Sequence, residues 1–273
     1  MDSLLSNPFI QSAVVPLLVA LSVALLLGKW RVAWVGFAVP VAIFAAVYLI
    51  RGFDFLPLRS TNKILLSGVV AIAVAVLFEL LPWRRWRLGL LALAGAALAL
   101  WLVWPRFSRL DGAEWWLTAI APAAYGAWWC VWAERLNNRP IQALNTYLLL
   151  GSATAICAML GATALYGQLA GAVAAACGAM WWLWLFKRPI SVGWLVILPA
   201  TVLLFLLGIG AVVYAKLAWY NLALFALIPV CVMIPLPQRW PHWLLGGGGL
   251  VLGAMPVIIA IYLTWTAAEG LPY

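Results

Sequence analysis

Charged side chains are scarce in this sequence. They make up 8% of its 273 residues, whereas 67% are hydrophobic, and a soluble domain carries roughly 25% charged residues. A soluble protein needs more polar surface than this composition supplies. The scarcity of charge therefore excludes a soluble globular domain and predicts that almost the whole chain lies in or against lipid.

The residues that carry most enzyme and metal chemistry are also few. The chain has one histidine, His242, and seven Asp and Glu residues. One histidine cannot supply the axial pair of a b-type haem or a multi-histidine metal site. The four cysteines form no CxxC pair, and no H-E-x-x-H, G-x-S-x-G or P-loop pattern occurs. We expect no catalytic centre, no metal site and no resident cofactor, while a bound lipid, quinone or pigment stays open.

The net charge of +9 does not point to nucleic acid. The basic residues stand singly or in short groups between apolar runs. Charges that orient a membrane protein are distributed in this way. We therefore expect membrane lipids and other membrane proteins as partners, and no nucleic acid.

Ten apolar runs are long enough to cross a bilayer, which takes about 20 residues each. They cover residues 8–27, 32–50, 63–82, 86–104, 115–133, 142–160, 165–186, 191–213, 218–236 and 243–265. The connections between them are too short for a soluble domain. The sequence predicts an all-α fold, a polytopic membrane bundle of about ten helices that forms one transmembrane domain over residues 1–273.

The Lys and Arg residues are distributed unequally between the two sets of connections. The odd-numbered connections hold ten, namely Lys29, Arg31, Arg84, Arg85, Arg87, Arg135, Arg139, Lys187, Arg188 and Arg239. The even-numbered ones hold six, namely Arg51, Arg59, Lys63, Arg106, Arg109 and Lys216. Because cytoplasmic loops carry the excess, we expect the odd connections in the cytoplasm of a bacterial inner membrane and both termini outside it.

Several residues recur at a spacing near 157. Gln11 and Gln168 are 157 apart, and Lys29 and Lys187 are 158 apart. Helices 1–4 would then match helices 7–10 around a central pair, which is a parallel 4+2+4 repeat.

Tryptophan is abundant, with 19 copies, and most of them fall at the ends of predicted spans. Indole prefers the headgroup boundary because it combines an apolar body with one N–H donor. An aromatic belt explains this placement, and so does an aromatic surface that holds a lipid, quinone or pigment. Position along the chain leaves both interpretations open.

A few polar residues inside spans are candidates for lining a cavity. Glu79 lies within a predicted span, either as an interfacial carboxylate paired with Arg84 and Arg85 or as a proton or cation site. The neutral candidates are Gln142, Asn145 and Ser152 in the sixth span, Gln168 in the seventh and Asn221 in the ninth. Hydrogen bonds between helices are the alternative explanation for these five.

Two other groups of residues predict contacts. Glycines four apart let helix backbones approach closely, and the sequence offers Gly167 with Gly171 and Gly249 with Gly253. The two largest predicted outer connections mix aromatic and basic residues that suit docking of a partner, namely Phe53, Phe55, Arg59, Phe107 and Arg109.

The favoured function is a non-catalytic subunit or scaffold of a larger membrane complex, because ionisable groups within the spans are so few. A transporter for a small or lipidic substrate is the alternative. It draws on the predicted repeat and on the polar residues of the sixth span.

Overall fold

The computed structural model describes residues 7–53, 56–80, 86–107, 114–161, 163–237, 239 and 241–269, without the side chains of Phe107, Glu114–Leu117, His242 and Glu269. Within these residues the chain is all helical, which confirms the predicted fold class. The ten α-helices are α1 (Val15–Trp30), α2 (Ala38–Arg51), α3 (Ser60–Leu80), α4 (Arg87–Phe107), α5 (Glu114–Leu136), α6 (Pro140–Leu160), α7 (Ala164–Leu185), α8 (Trp194–Ala215), α9 (Tyr220–Val232) and α10 (His242–Glu269). A π-helical turn, Ile10–Val14, leads into α1, and a 3-10 helix, Val32–Phe37, leads into α2.

Eight of the helices in the described part of the chain are long and apolar enough to cross a membrane. The other two are α5 and α9. The 23 residues of α5 span about 34 Å at 1.5 Å per residue, but they include several tryptophans and an acid near the helix end. The 13 residues of α9 span only about 20 Å, less than the ~30 Å hydrocarbon core.

The predicted ninth span, residues 218–236, is too long. The helix ends at Val232, and Pro235 and Pro237 follow soon after it. Proline lacks a backbone N–H and disfavours helix in the residue before it, so the apolar run continues beyond the helix. Before the helix, Lys216 adopts a left-handed conformation with φ of 58°, which ends α8.

Helix α8 forms the centre of the bundle. Every residue from Trp194 to Val213 is buried. Helix α3 packs along it, and α5, α6, α7 and α4 also contact it. Because α8 is apolar around its whole circumference, the bundle buries it rather than exposing one face.

Glycines allow the closest helix contacts. A Cβ on Gly95 of α4 would overlap the carbonyl oxygen of Gly126 in α5, and a Cβ on Gly126 would overlap that of Gly95. A Cβ on Gly151 of α6 would lie 2.8 Å from the Cβ of Ala174 in α7. None of these three glycines was in the predicted packing set.

The four predicted packing glycines differ in how closely they approach a neighbour. A Cβ on Gly167 would lie 2.6 Å from Cγ of Met159, and one on Gly249 would lie 2.6 Å from Nδ2 of Asn145. A Cβ on Gly253 would lie 2.6 Å from Cδ1 of Leu149. Gly171 has more room, because the nearest atom to its Cβ would be the Ser12 carbonyl oxygen at 3.5 Å.

Helices that would correspond in the predicted 4+2+4 repeat make different contacts. Helix α9 packs along α10, whereas α3, its counterpart in that arrangement, packs on α8 and has little contact with α4. The repeat stays a prediction from the sequence, and the packing lends it no support.

Candidate functional site

An ion pair lies where α4 begins and α5 ends. The Nε and Nη2 atoms of Arg87 donate to the two carboxylate oxygens of Glu134 at 2.7 and 2.5 Å. The two side chains are only 12% and 22% exposed. Glu134 was not among the predicted site residues, because it falls one position beyond the predicted fifth span. The acid next to Arg135 is the sequence feature that could have drawn attention to it.

The same arginine also contacts two aromatic rings. Its guanidinium carbon lies 4.7 Å from the ring centre of Trp194 and 5.9 Å from that of Phe78. These two rings meet edge to face, with centres 5.3 Å apart. Since Trp194 begins α8 and Phe78 lies near the end of α3, Arg87 links four helices at this end of the bundle. We call this end the α8 N-terminal face.

Glu79 caps the N-terminus of α8. Its Oε1 accepts a hydrogen bond of 2.7 Å from the backbone N–H of Trp194. The first N–H groups of a helix have no partner within the helix, and the helix dipole favours negative charge there. Any side chain at Gly193 would overlap this carboxylate. Arg84 and Arg85, the partners considered from the sequence, lie outside the described residues.

At the opposite end of the bundle, which we call the α8 C-terminal face, basic side chains donate hydrogen bonds to backbone carbonyl groups. Lys63 donates to the carbonyl oxygen of Trp101 at 3.0 Å, and Arg106 donates to that of Val213 near the end of α8. The Tyr214 hydroxyl donates to the carbonyl oxygen of Leu102 at 2.7 Å. Val213 lies in the last turn of α8, where carbonyl groups lack intrahelical partners and carry partial negative charge. The carbonyl group of Trp101 has no intrahelical donor because Pro105, four residues further on, lacks an N–H.

All six predicted cavity residues are among the described residues, and no hydrogen bond joins any two of them. Asn145 donates to the carbonyl oxygen of Gly246 in α10 at 2.9 Å. Asn221 accepts from Thr264, also in α10, at 3.2 Å. Gln142 and Gln168 are half-buried. Ser152 lines an apolar groove of about 480 Å³ between α1, α6 and α7, and Glu79 is at the start of α8.

A hydroxyl pair also joins two helices in the interior. The hydroxyls of Tyr147 and Thr201 are 2.7 Å apart, and Thr201 also donates to the carbonyl oxygen of Ile197 at 2.7 Å. Since a hydroxyl has one proton, Tyr147 is the donor of this pair. The bond joins α6 to the buried helix α8.

A cleft with a volume of about 630 Å³ lies between α5 and α9. Its walls are mostly alanine and aromatic side chains, namely Thr118, Ala121, Ala124, Tyr125 and Trp128 of α5 and Trp219, Leu222, Ala223 and Ala226 at α9. The indole N–H of Trp128 donates to the carbonyl oxygen of Ala226 at 3.1 Å and so bridges the two helices. We call it the α5–α9 cleft.

The structure describes the side chains of two of the five predicted docking residues. Phe53 is 49% exposed, and its ring centre lies 5.3 Å from that of Tyr48. Arg59 is exposed. Phe55 and Arg109 lie outside the described residues, and Phe107 ends α4 with its side chain undescribed.

Tryptophans occupy two environments. Trp30, Trp86, Trp104 and Trp243 lie near helix ends and are more than half exposed, as an aromatic belt requires. Trp129, in the middle of α5, is completely buried, and its indole N–H has no hydrogen-bond partner.

No three His, Cys, Asp or Glu side chains of the described residues are placed to hold a metal ion. Comparison of the chain with protein-family models gave no match, and comparison with curated proteins gave none either.

Proposed function

We propose that the protein is a non-catalytic integral membrane subunit that acts as a scaffold in a larger membrane complex. The observation that carries the proposal is that ionisable side chains of this protein form bonds between helices. Glu79, Arg87, Glu134, Lys63 and Arg106 each bond a neighbouring helix. An ionisable side chain inside a membrane is by default a candidate for a functional site, such as an ion pathway. Here these side chains instead form bonds that hold neighbouring helices together.

Such fastening favours a static bundle. A transporter that alternates between two states must break contacts at one membrane face and form others. Here the α8 N-terminal face is tied through Arg87 and Glu79, and the α8 C-terminal face through Lys63 and Arg106. Holding a fixed shape for partner subunits is the task that this arrangement suits.

We further propose that the α8 N-terminal face lies in the cytoplasm of a bacterial inner membrane and that both termini lie outside. Lys and Arg are more numerous in the connections assigned to this face, and the positive-inside rule assigns such connections to the cytoplasm. The partner subunits would then meet the exposed Phe53 and Arg59 on the outer side.

The test is the state of the protein in its own membrane. The tagged chain, expressed from its own locus, is extracted in mild detergent, and its partners are quantified after size separation. We expect one species far larger than the 29.8 kDa chain, with other membrane proteins in fixed stoichiometry. A homogeneous monomer at the same expression level would overturn the proposal.

An Arg59→Glu variant sharpens this test. The residue is exposed, so the variant should fold normally but lose partners if the outer connection is the docking surface. The matched control is Arg188→Glu, an exposed residue of the opposite face, which should keep its partners.

A transporter for a lipidic substrate is the second candidate, and the α5–α9 cleft favours it. A cavity of this volume has the size of a small-molecule site. Purified protein in liposomes would move a fluorescent lipid between leaflets faster than empty liposomes do, whereas a scaffold would not. Equal rates would remove this candidate.

A further inference from the structure

The geometry points to the α5–α9 cleft as a binding site for one hydrocarbon chain of a membrane lipid, inserted from the leaflet at the α8 C-terminal face. This inference does not depend on whether the protein is a scaffold or a transporter. Three properties of the cleft carry it: its depth, its walls and its closed end.

The depth matches one leaflet. The cleft runs along α5 from Thr118 to Trp128, which is about 15 Å at 1.5 Å per residue. This is half of the ~30 Å hydrocarbon core. Because α5 ends at the ion pair of the α8 N-terminal face, Thr118 lies toward the opposite face. The cleft therefore extends from near one membrane surface to about the middle.

The walls are apolar and built from small side chains at helical spacing. Ala121 and Ala124 line α5, and Ala223 and Ala226 line α9. Residues three or four apart share one helix face, so each helix turns a strip of alanines to the other. Ala121, Ala124 and Ala223 are exposed, which leaves the cleft open along its side to lipid.

Two polar groups of the wall, the Tyr125 hydroxyl and the Trp128 indole N–H, do not face the cleft. The Tyr125 hydroxyl is buried, and it lies 3.6 Å from where a Cβ of Gly208 in α8 would be. The ring of Tyr125 is thus the part that meets an occupant. The Trp128 N–H is used by the Ala226 carbonyl oxygen. A chain without hydrogen-bonding groups fits such walls, since it brings no polar group that would need a partner.

The two ends of the cleft differ in the way that binding of a lipid requires, with one end closed and the other near the membrane surface. At the deep end, the Trp128–Ala226 hydrogen bond closes the space between the helices. At the shallow end stands Trp219, 43% exposed, and indole prefers the headgroup boundary. A chain would enter beside Trp219, with its headgroup in the interface and its tail against Trp128.

Photolabelling tests the inference. The purified full-length protein is placed in nanodiscs that contain a phospholipid with a diazirine in its acyl chain, and the labelled peptides are mapped. A parallel sample contains an isoprenoid lipid phosphate with a diazirine in its chain. We expect label concentrated between residues 118 and 128 and between 219 and 226. The probe that labels identifies the source, and labelling by both means that any hydrocarbon chain is accepted.

The variant Ala124→Leu/Ala223→Leu fills the cleft, and we expect its cleft labelling to fall about tenfold, equivalent to ~1.4 kcal/mol of binding. The control is Ala97→Leu, at an exposed alanine of α4, which should label as wild type does. If the double variant elutes as aggregate, Ala121→Leu replaces it. Label spread evenly over lipid-facing helices, or unchanged in the filled variant, would overturn the inference.

Labelling and complex formation are independent readouts. A chain bound in the cleft of a monomeric protein would support this inference and contradict the scaffold. A stable complex with an unlabelled cleft would do the reverse.

Discussion

Individual charges in this protein act at helix ends. Glu79 bonds the first N–H of α8, and Arg106 bonds a carbonyl group in its last turn. Lys63 bonds the carbonyl group of Trp101, which Pro105 leaves without a donor in α4. Glu79 and Arg106 thus meet the ends of the α8 dipole that their charges stabilise. In a chain with so few charges, their placement at helix ends argues that they serve the fold.

The pair of Arg87 and Glu134 should contribute measurably to stability. We expect Glu134→Ala to lower the free energy of unfolding by about 1–3 kcal/mol, because a charge-assisted bidentate bond is lost and Arg87 is left unpaired. The value is below that of a fully buried pair because both side chains are partly exposed. Thermal melting in detergent measures it.

Two further variants make this prediction specific. The charge-reversed pair Arg87→Glu/Glu134→Arg should regain part of the loss, and Arg188→Gln, at an exposed position, should melt as wild type does. If Glu134→Ala also melts at the wild-type temperature, the pair does not stabilise the bundle.

Variants of Glu79 distinguish a structural helix cap from an ion site. Gln keeps the acceptor oxygen, so Glu79→Gln should melt near the wild-type temperature, while Glu79→Ala should lose ~1 kcal/mol, as the loss of an N-cap does. In liposomes, both variants and the wild type should hold an imposed proton gradient as well as empty vesicles. A gradient that the wild type dissipates and Glu79→Gln preserves would identify an ion pathway instead.

The sequence indicated Glu79 as notable but not its role. A carboxylate at the end of an apolar run is visible in the sequence, whereas its partner, the Trp194 N–H, lies 115 positions further along the chain. The approach of α3 to α8 depends on packing across the whole bundle. Glu134 was missed because the predicted span ended one residue before it, and helix ends are the least certain part of such predictions.

At the scale of the helix, the four-glycine run at the start of α10 contains one closely packed glycine and one with open space around it, which allows a controlled comparison. A Cβ at Gly249 would lie 2.6 Å from Nδ2 of Asn145, whereas one at Gly247 would have no atom within 4 Å. Gly249→Ala should destabilise the protein by about 1–3 kcal/mol through overpacking. Gly247→Ala should stabilise it by up to ~1 kcal/mol, since alanine favours helix over glycine. Melting temperatures that shift in the same direction would contradict this account.

The contact between α4 and α5 permits a second comparison. Gly95→Ala would place a methyl group into the backbone of Gly126, while Gly89 of the same helix has open space around it. We expect a loss of about 1–3 kcal/mol or more for Gly95→Ala and no loss for Gly89→Ala. Thermal melting decides this, and equal melting of the two variants would show that the helices are not in close contact.

The glycine patterns show what the sequence can predict at this scale. Gly249 and Gly253 share one helix face through their spacing of four, so the face was visible without knowing its partners. Gly95 and Gly126 form an equally close contact, but neither has a second glycine four residues away on its own helix. Only the packing of α4 on α5 brings them together, and a pattern within one helix cannot indicate it.

At the scale of the whole molecule, the class of protein follows from composition and the number of helices from run length. Ten apolar runs correspond to ten helices in the described residues. The burial of α8 did not follow, because α8 is only one of several strongly apolar runs. Which of these runs becomes central depends on how all the helices pack together. The predicted ninth span was longer than α9 because run length counts apolar residues and takes no account of the prolines that follow the helix.

The proposed orientation requires that all ten helices cross the membrane, including the less apolar α5 and the short α9, whereas eight are long and apolar enough by themselves. It is tested by single cysteines in the connections, in a background with Cys130, Cys157, Cys177 and Cys231 replaced by alanine. An impermeant maleimide is then added to intact cells. We predict labelling of Arg59→Cys and Ala218→Cys, and no labelling of Asn138→Cys, Arg188→Cys and Arg239→Cys until the cells are opened. Labelling of Ala218→Cys and Arg239→Cys from the same side would show that α9 does not cross and would contradict the account.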